Sequence, residues 1–230
     1  MIICPLCKKP SLIFDTGGIT GKYICKNCSY KGTLSIEIPN DFLKFRYFFT
    51  SKGNIMLLGK NAESNELLLK KFTKANELVF HTKAVGSPFC VIKADYKAIS
   101  EIEKKEAARM CSVFSKEWKN GKKIIEVHSF LGKNIFKEKN MAKGTFGVKK
   151  IEKKYRIKAE AYLCLINDTI EVLPYKSKVI GIIESDKKGL NKQDAINKIR
   201  EYAKKKDLKI SLYIERELPA RAIKIVWQNG

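Results

Sequence analysis

Short apolar runs alternate along the chain with three stretches of helical period, and the spacing predicts a mixed α/β (α+β) architecture. Asn54 to Leu58 is a compact apolar run closed by Gly59. Asn61 is a residue type that caps helices, so a helix is expected from Ala62 to about Phe72. Glu77 to His81 and Phe89 to Lys93 read as strands on either side of a Gly86-Ser87-Pro88 turn. Ser100 followed by Glu103 forms a capping box, and Ala107, Cys111, Phe114 and Trp118 recur at three- and four-residue spacing. That pattern predicts one helix reaching Trp118 with a buried stripe. Lys123 to Phe130 alternates as a strand, with Ile125 and Val127 facing one way and Glu126 and His128 the other. Phe146 to Val148 and Ala159 to Leu165 read as further strands of a mixed sheet.

The two ends differ from this middle. The run Phe42, Phe45, Tyr47, Phe48, Phe49 reads as a core strand and a seam to whatever precedes it. At the other end, Val179 to Glu184, a helix capped by Asn191 and reaching Lys206, Leu208 to Ile214 and Arg221 to Trp227 spell a small β-α-β-β module. The expected organisation is therefore residues 1–38, 39–175 and 176–230 as three units.

Candidate chemistry begins in the first unit, where Cys4, Cys7, Cys25 and Cys28 form two CxxC pairs separated by 17 residues. Each pair aims two thiolates at one point, and the spacer is long enough for a hairpin that joins the points. The pattern predicts a four-cysteine zinc ribbon holding one structural Zn²⁺, in preference to redox CxxC sites or an iron–sulfur cluster. Cys90, Cys111 and Cys164 stand singly in apolar segments, which argues against a disulfide set and for a reducing cytoplasm. No run approaches a membrane span, so no membrane partner is expected.

Charge adds a partner. The chain has 46 Lys and Arg against 24 Asp and Glu, for a net charge of +22. The excess is spread along it, +4 over residues 1–50, +11 over 51–150 and +7 over 151–230. A field of that sign attracts polyanions, and nucleic acid is the first expectation. Catalysis has little support, because HExxH, a Walker GKS/T and a strand-linked GxGxxG are all missing and the carboxylates are scattered singly among lysines. Lys60 and Asn61 at a helix start, His81, Lys83 and Ser87 around a turn, and the loop lysines Lys133, Lys137, Lys139 and Lys143 are the candidate donors to phosphate.

Four segments in order, GKNAESNELLLKKF, LVFHTKAVGSPFCVIK, KKEAARMCSVFSKEW and GKNIFKEKNMAKGTFGVKK, resemble the RNA-binding (NFACT-R) domain of the NFACT family. The resemblance spans about residues 50 to 165. Its glycine-led signature falls on Gly59, Lys60, Asn61, Ala62, Asn65 and Glu66, and its histidine signature on His81, Gly86 and Ser87. The alanine-rich helix falls on Ala107, Ala108, Ser115 and Trp118, and the basic turn on Lys143, Gly144 and Phe146. Pro88 stands where the family commonly has a second histidine. The resemblance implies a non-catalytic RNA-binding protein of the ribosome, rRNA or tRNA, in translation or ribosome quality control, with Asn65 joining the binding set. DNA and ribosomal proteins are the other implied partners, the alternative function being DNA binding or a ribosome-docking zinc adaptor. It does not carry peptide tailing, which belongs to other domains of the large family members. The ribbon beside this domain suggests an archaeal source.

Overall fold

The computed structural model describes residues 12–14, 20–25, 28, 31–35 and 38–228, with side chains at 28 and from 38 onward. Strands β1 (Leu12–Phe14), β2 (Thr20–Cys25) and β3 (Lys31–Ser35) form a three-stranded antiparallel sheet. Cys4 and Cys7 lie outside the described residues, and Cys25 ends β2. A structural zinc needs four donors converging on one point. Among the described residues no group of three or more His, Cys, Asp or Glu side chains could hold a metal ion. The expectation of a Zn²⁺ at Cys4, Cys7, Cys25 and Cys28 is corrected accordingly, and with it the zinc adaptor.

The central unit is a six-stranded sheet whose neighbours all pair antiparallel, not the mixed sheet expected from the alternation of elements. Its strands are β4 (Arg46–Phe49), β5 (Ile55–Leu58), β6 (Glu77–Thr82), β7 (Cys90–Asp95) and β8 (Ile124–Leu131). A two-residue pair, β9 (Ile135–Phe136) with β10 (Gly147–Val148), precedes the last strand, β11 (Lys153–Lys158). The order across the sheet is β11-β8-β6-β7-β5-β4. Helix α1 (Ala62–Lys71) joins β5 to β6, while α2 (Glu101–Val113) and the single turn α3 (Lys116–Lys119) join β7 to β8.

Over β4, β5, β6 and β7 both faces are covered, which is why these strands read as near-continuous apolar runs, whereas β8 and β11 alternate and leave one face at least partly exposed. Phe45, Tyr47, Leu57, Val79 and Phe89 pack with Leu68 and Leu69 of α1 on one face. Phe48, Met56, Phe80 and Ile92 pack with Ala107, Met110 and Cys111 of α2 on the other. Of the aromatic run, Tyr47, Phe48 and Phe49 form the core strand β4 and Phe45 is buried just before it, while Phe42 is a half-buried residue of the preceding turn.

The chain from Glu160 onward forms a second sheet. Strands β12 (Glu160–Ile166), β13 (Thr169–Leu173), β14 (Val179–Leu190), β15 (Lys209–Ile210) and β16 (Ile223–Trp227) lie in the order β15-β13-β12-β14-β16. Its helices are α4 (Lys192–Lys205) and the turn α5 (Ile214–Glu217). The tail is therefore larger than a β-α-β-β module, since it recruits β12 and β13. The strand expected over Leu208 to Ile214 shrinks to two residues before the turn α5. Leu163, Ile170, Ile183 and Ile196 join the α2-side core, so α2 lies between the two sheets. Among the described residues no helix is long and apolar enough to cross a membrane.

Candidate nucleic-acid interface

The start of β4, the start of α1, the β6–β7 loop, α3 and residues 143–148 enclose a cleft of 590 Å³. Arg46, Lys60, Lys83, Lys119 and Lys143 line it together with His81 and His128, and no carboxylate does so among the described residues. Nearly half the chain's Lys and Arg surplus lies in the segment that builds this cleft. A concave surface with one sign of charge focuses its field on whatever enters.

The start of α1 is fixed by its cap. Asn61 Oδ1 accepts from the Ser64 amide at 2.9 Å, and Ser64 Oγ accepts from the amides of Asn61 at 2.9 Å and Lys60 at 2.6 Å. The Asn61 carboxamide oxygen is thus committed to the helix, while Ala62 brings the positive end of the helix dipole into the cleft wall. Lys60 Nζ donates to the Leu43 carbonyl at 3.0 Å. Burial, then the charges of Arg46 and Arg216, hold its pKa below the ordinary lysine value. Arg46 donates to the Gly59 carbonyl at 3.0 Å and lies 4.7 Å from the centroid of the Phe114 ring.

Asn65 and Ser87 sit inside the wall, 7% and 2% exposed. Asn65 Oδ1 accepts from the Phe89 amide at 3.2 Å, and its Nδ2 donates to the Ser87 carbonyl at 3.4 Å. Ser87 Oγ accepts from Thr82 Oγ1 at 2.7 Å and from the Lys116 amide at 3.2 Å. A Cβ on Gly59 would stand 1.9 Å from Asn65 Oδ1, so that close approach requires glycine. The glycine-led and histidine signatures are consequently one hydrogen-bonded unit tying α1 to the β6–β7 loop.

His81 completes the unit. Its ring stacks on Phe89 with centroids 4.3 Å apart, and Nε2 lies 3.1 Å from the Ser87 carbonyl. A carbonyl can only accept, so Nε2 carries the hydrogen. Burial lowers the His81 pKa, against the raising effect of that carbonyl, and favours the neutral ring.

The loop lysines divide. Lys143 stands in the cleft, paired with Glu63 at 2.8 Å where both side chains are largely exposed. Lys137 is instead held in place, donating to Glu66 Oε2 at 2.9 Å and to the carbonyls of Ala142 at 2.7 Å and Thr145 at 3.1 Å. Glu66 also accepts from the Gly144 amide at 2.8 Å, and Lys137, Lys70 and that amide lower its pKa to about 2. Gly144 has φ +77° and passes so close to Ala62 that a Cβ would stand 2.7 Å from its Cα. Lys133 and Lys139 are exposed outside the cleft.

Seven of the ten expected residues thus gather at one cleft, and Lys133, Lys137 and Lys139 do not. Sequence reasoning missed Arg46, Lys119 and His128. Arg46 interrupts the aromatic run and His128 faces away from Ile125 and Val127, so both carried a visible signal; Lys119 carried none. Pro219 and Ala220, which also line the cleft, come from the second sheet's unit and no local pattern points to them.

The chain was compared with known proteins. Residues 44–150 match the family model described as NFACT protein RNA binding domain. An archaeal Rqc2 homolog, aRqcH of Methanocaldococcus jannaschii, is 36% identical over 76 residues, covering 33% of this chain and 11% of that protein. An uncharacterized protein of Archaeoglobus fulgidus is 47% identical over 38 residues, which are 16% of this chain and 54% of that one. The chain thus spans only part of each relative's length. Among solved structures, the C-terminal part of the fibronectin/fibrinogen-binding protein from Streptococcus suis aligns with a TM-score of 0.46 at 26% identity, covering 50% of this chain and 45% of that one. The described role of the matched family is RNA binding and not catalysis, and residues 44–150 of this chain are NFACT-R-like.

Proposed function

We propose that the protein binds structured RNA on the ribosome, rRNA or tRNA, in translation or ribosome quality control. The observation that carries the reading is the cleft lined by five Lys and Arg side chains and no carboxylate among the described residues. These five side chains fall within the segment that matches an RNA-binding domain, and a stretch of the chain is similar to an archaeal Rqc2 homolog. Lys60, Lys83 and Lys143, with Arg46 and Lys119, meet phosphates at the cleft, while Lys133 and Lys139 extend the contact outside it. Asn61, Asn65, His81 and Ser87 act by holding the wall in shape. Phosphate contacts position a protein without reading bases, so selectivity follows RNA shape more than sequence.

The expected result for the paired substitution Lys60→Glu and Lys83→Glu is loss of affinity for every RNA tested, with a shallower dependence of log affinity on log salt than the unsubstituted protein. Titration of labelled rRNA and tRNA fragments at several salt concentrations checks it. Unchanged affinity would remove the cleft from the interface. Sedimentation with ribosomal subunits, with and without RNase, checks the cytoplasmic ribosomal setting, and recovery on genomic DNA in crosslinking would redirect the reading to DNA.

A further inference from the structure

We infer that the cleft takes one unpaired nucleotide of the RNA, base inward and phosphate at the rim, and not the face of a duplex. This rests on the RNA-binding reading and names the part of the RNA that enters.

The cleft is built in two layers of different chemistry. Its lysines, Lys60, Lys83, Lys119 and Lys143, are exposed and stand at the rim. Deeper in stand rings: Phe114 and Phe146 are half-buried and line the cleft, with Trp118, Phe89 and Phe130 buried behind them and the His81 ring stacked on Phe89. A groove that only tracks a phosphate backbone needs the rim alone. A cationic rim above an apolar aromatic floor suits a ligand with an anionic part and a flat apolar part, and within RNA that unit is a nucleotide whose base has left its stack. The 590 Å³ volume falls in the range of small-molecule sites, whereas a duplex can rest only on the rim.

The far wall makes this a cleft and not an open groove. Pro219 and Ala220 supply it, from outside the matched residues 44–150. The wall is pinned where the Lys192 amide donates to the Ala220 carbonyl at 3.0 Å and Trp118 Nε1 donates to the Arg221 carbonyl at 3.1 Å. The second sheet's unit thereby shapes which RNA is accepted.

The test compares a blunt RNA duplex with the same duplex carrying one unpaired terminal nucleotide, 2-aminopurine, by anisotropy and by the fluorescence of the analogue. The tailed duplex is expected to bind about tenfold more tightly, with the analogue's emission changed on binding. Ala220→Trp narrows the cleft from an exposed wall position, and Val85→Trp does so from a loop residue 77% exposed. Each is expected to bring the tailed-to-blunt affinity ratio toward one, with unfolding midpoints confirming that the variants fold. Equal affinity of the unsubstituted protein for the two duplexes overturns the nucleotide site while RNA binding stands. A ratio untouched by both tryptophans overturns it as well, and failure to bind either duplex overturns the RNA reading itself.

Discussion

Lys137 and Lys139 lie two residues apart in the same basic stretch, yet only one of them is free to meet a phosphate. Lys137 has its ammonium shared among Glu66 and two carbonyls, and it lies 4.9 Å from the centroid of the Phe146 ring. Lys139 is exposed and has no such set. Lys137→Ala is therefore expected to lower the unfolding midpoint and open residues 137–148 to protease, because it strips Glu66 of a partner and unpins the loop from α1. Lys139→Ala should leave the midpoint within experimental error and reduce only RNA affinity. Thermal unfolding and limited proteolysis of the two variants, side by side, check this, and equal behaviour would refute the division. The sequence marked both lysines, because residue type and local composition are visible in it. Which lysine is spent on the fold depends on Glu66, far away in the chain. The same limit applies to Asn65 and Ser87, whose signatures were legible while their burial was not.

Helix α2 ends at Val113, and α3 starts afresh after Ser115, whose Oγ accepts from the Trp118 amide at 3.0 Å. The apolar spacing of Ala107, Cys111, Phe114 and Trp118 continues across this break, which is why periodicity alone predicted one helix. Ser115 was the available signal, since serine favours caps over helix interiors. The break turns α3 so that the Lys116 amide reaches Ser87 and Lys119 reaches the cleft. Ser115→Ala should cost about 1 kcal/mol of stability, with most of it restored by Ser115→Asp, measured by urea unfolding. No loss in the alanine variant would mean that packing of Trp118 alone sets the turn. Strand β13 was missed for a related reason. It follows a two-residue turn, Asn167-Asp168, with φ of 45° and 61°, which lacks the glycine that usually advertises such a hairpin. Without β13 the tail looked like a small module, and β12 seemed to belong to the central sheet. The helices α1 and α4 were legible close to their ends because Asn61 and Asn191 cap them.

At the scale of the whole molecule, the two units also meet where α5 lies against β4, and a half-buried carboxyl enclosed there sets a pH dependence. Glu217 of α5 accepts from the Val172 amide and from Ser211 Oγ, both at 3.4 Å. Its neighbour Arg216 lies over the rings of Tyr47 and Tyr213, 3.6 and 3.8 Å from their centroids, so α5 rests on β4. Burial, then the charge of Glu171, raises the Glu217 pKa to about 7, against the lowering effects of the Val172 amide, Arg216 and Ser211. Burial raises Glu171 to about 6. A carboxyl with a raised folded pKa binds its proton more tightly in the folded state, so its contribution is most favourable below the unfolded value of 4.5 and falls as pH rises to about 7. His81, with a lowered pKa, works the other way near its unfolded value of 6.5. Glu66 and Glu101, both lowered to about 2, contribute stability that is lost only as pH falls below the unfolded value of 4.5. The difference between wild type and Glu217→Gln isolates that carboxyl from these, since the amide keeps the shape and does not ionise. The variant is expected to gain on wild type progressively from about pH 5 to pH 8, by at most about 3 kcal/mol. Urea unfolding of both proteins across that range measures it. A difference that stays flat with pH would show that Glu217 is ionised and solvated in the folded protein, and that the joint between the sheets is looser than the packing of Arg216 between two tyrosines implies.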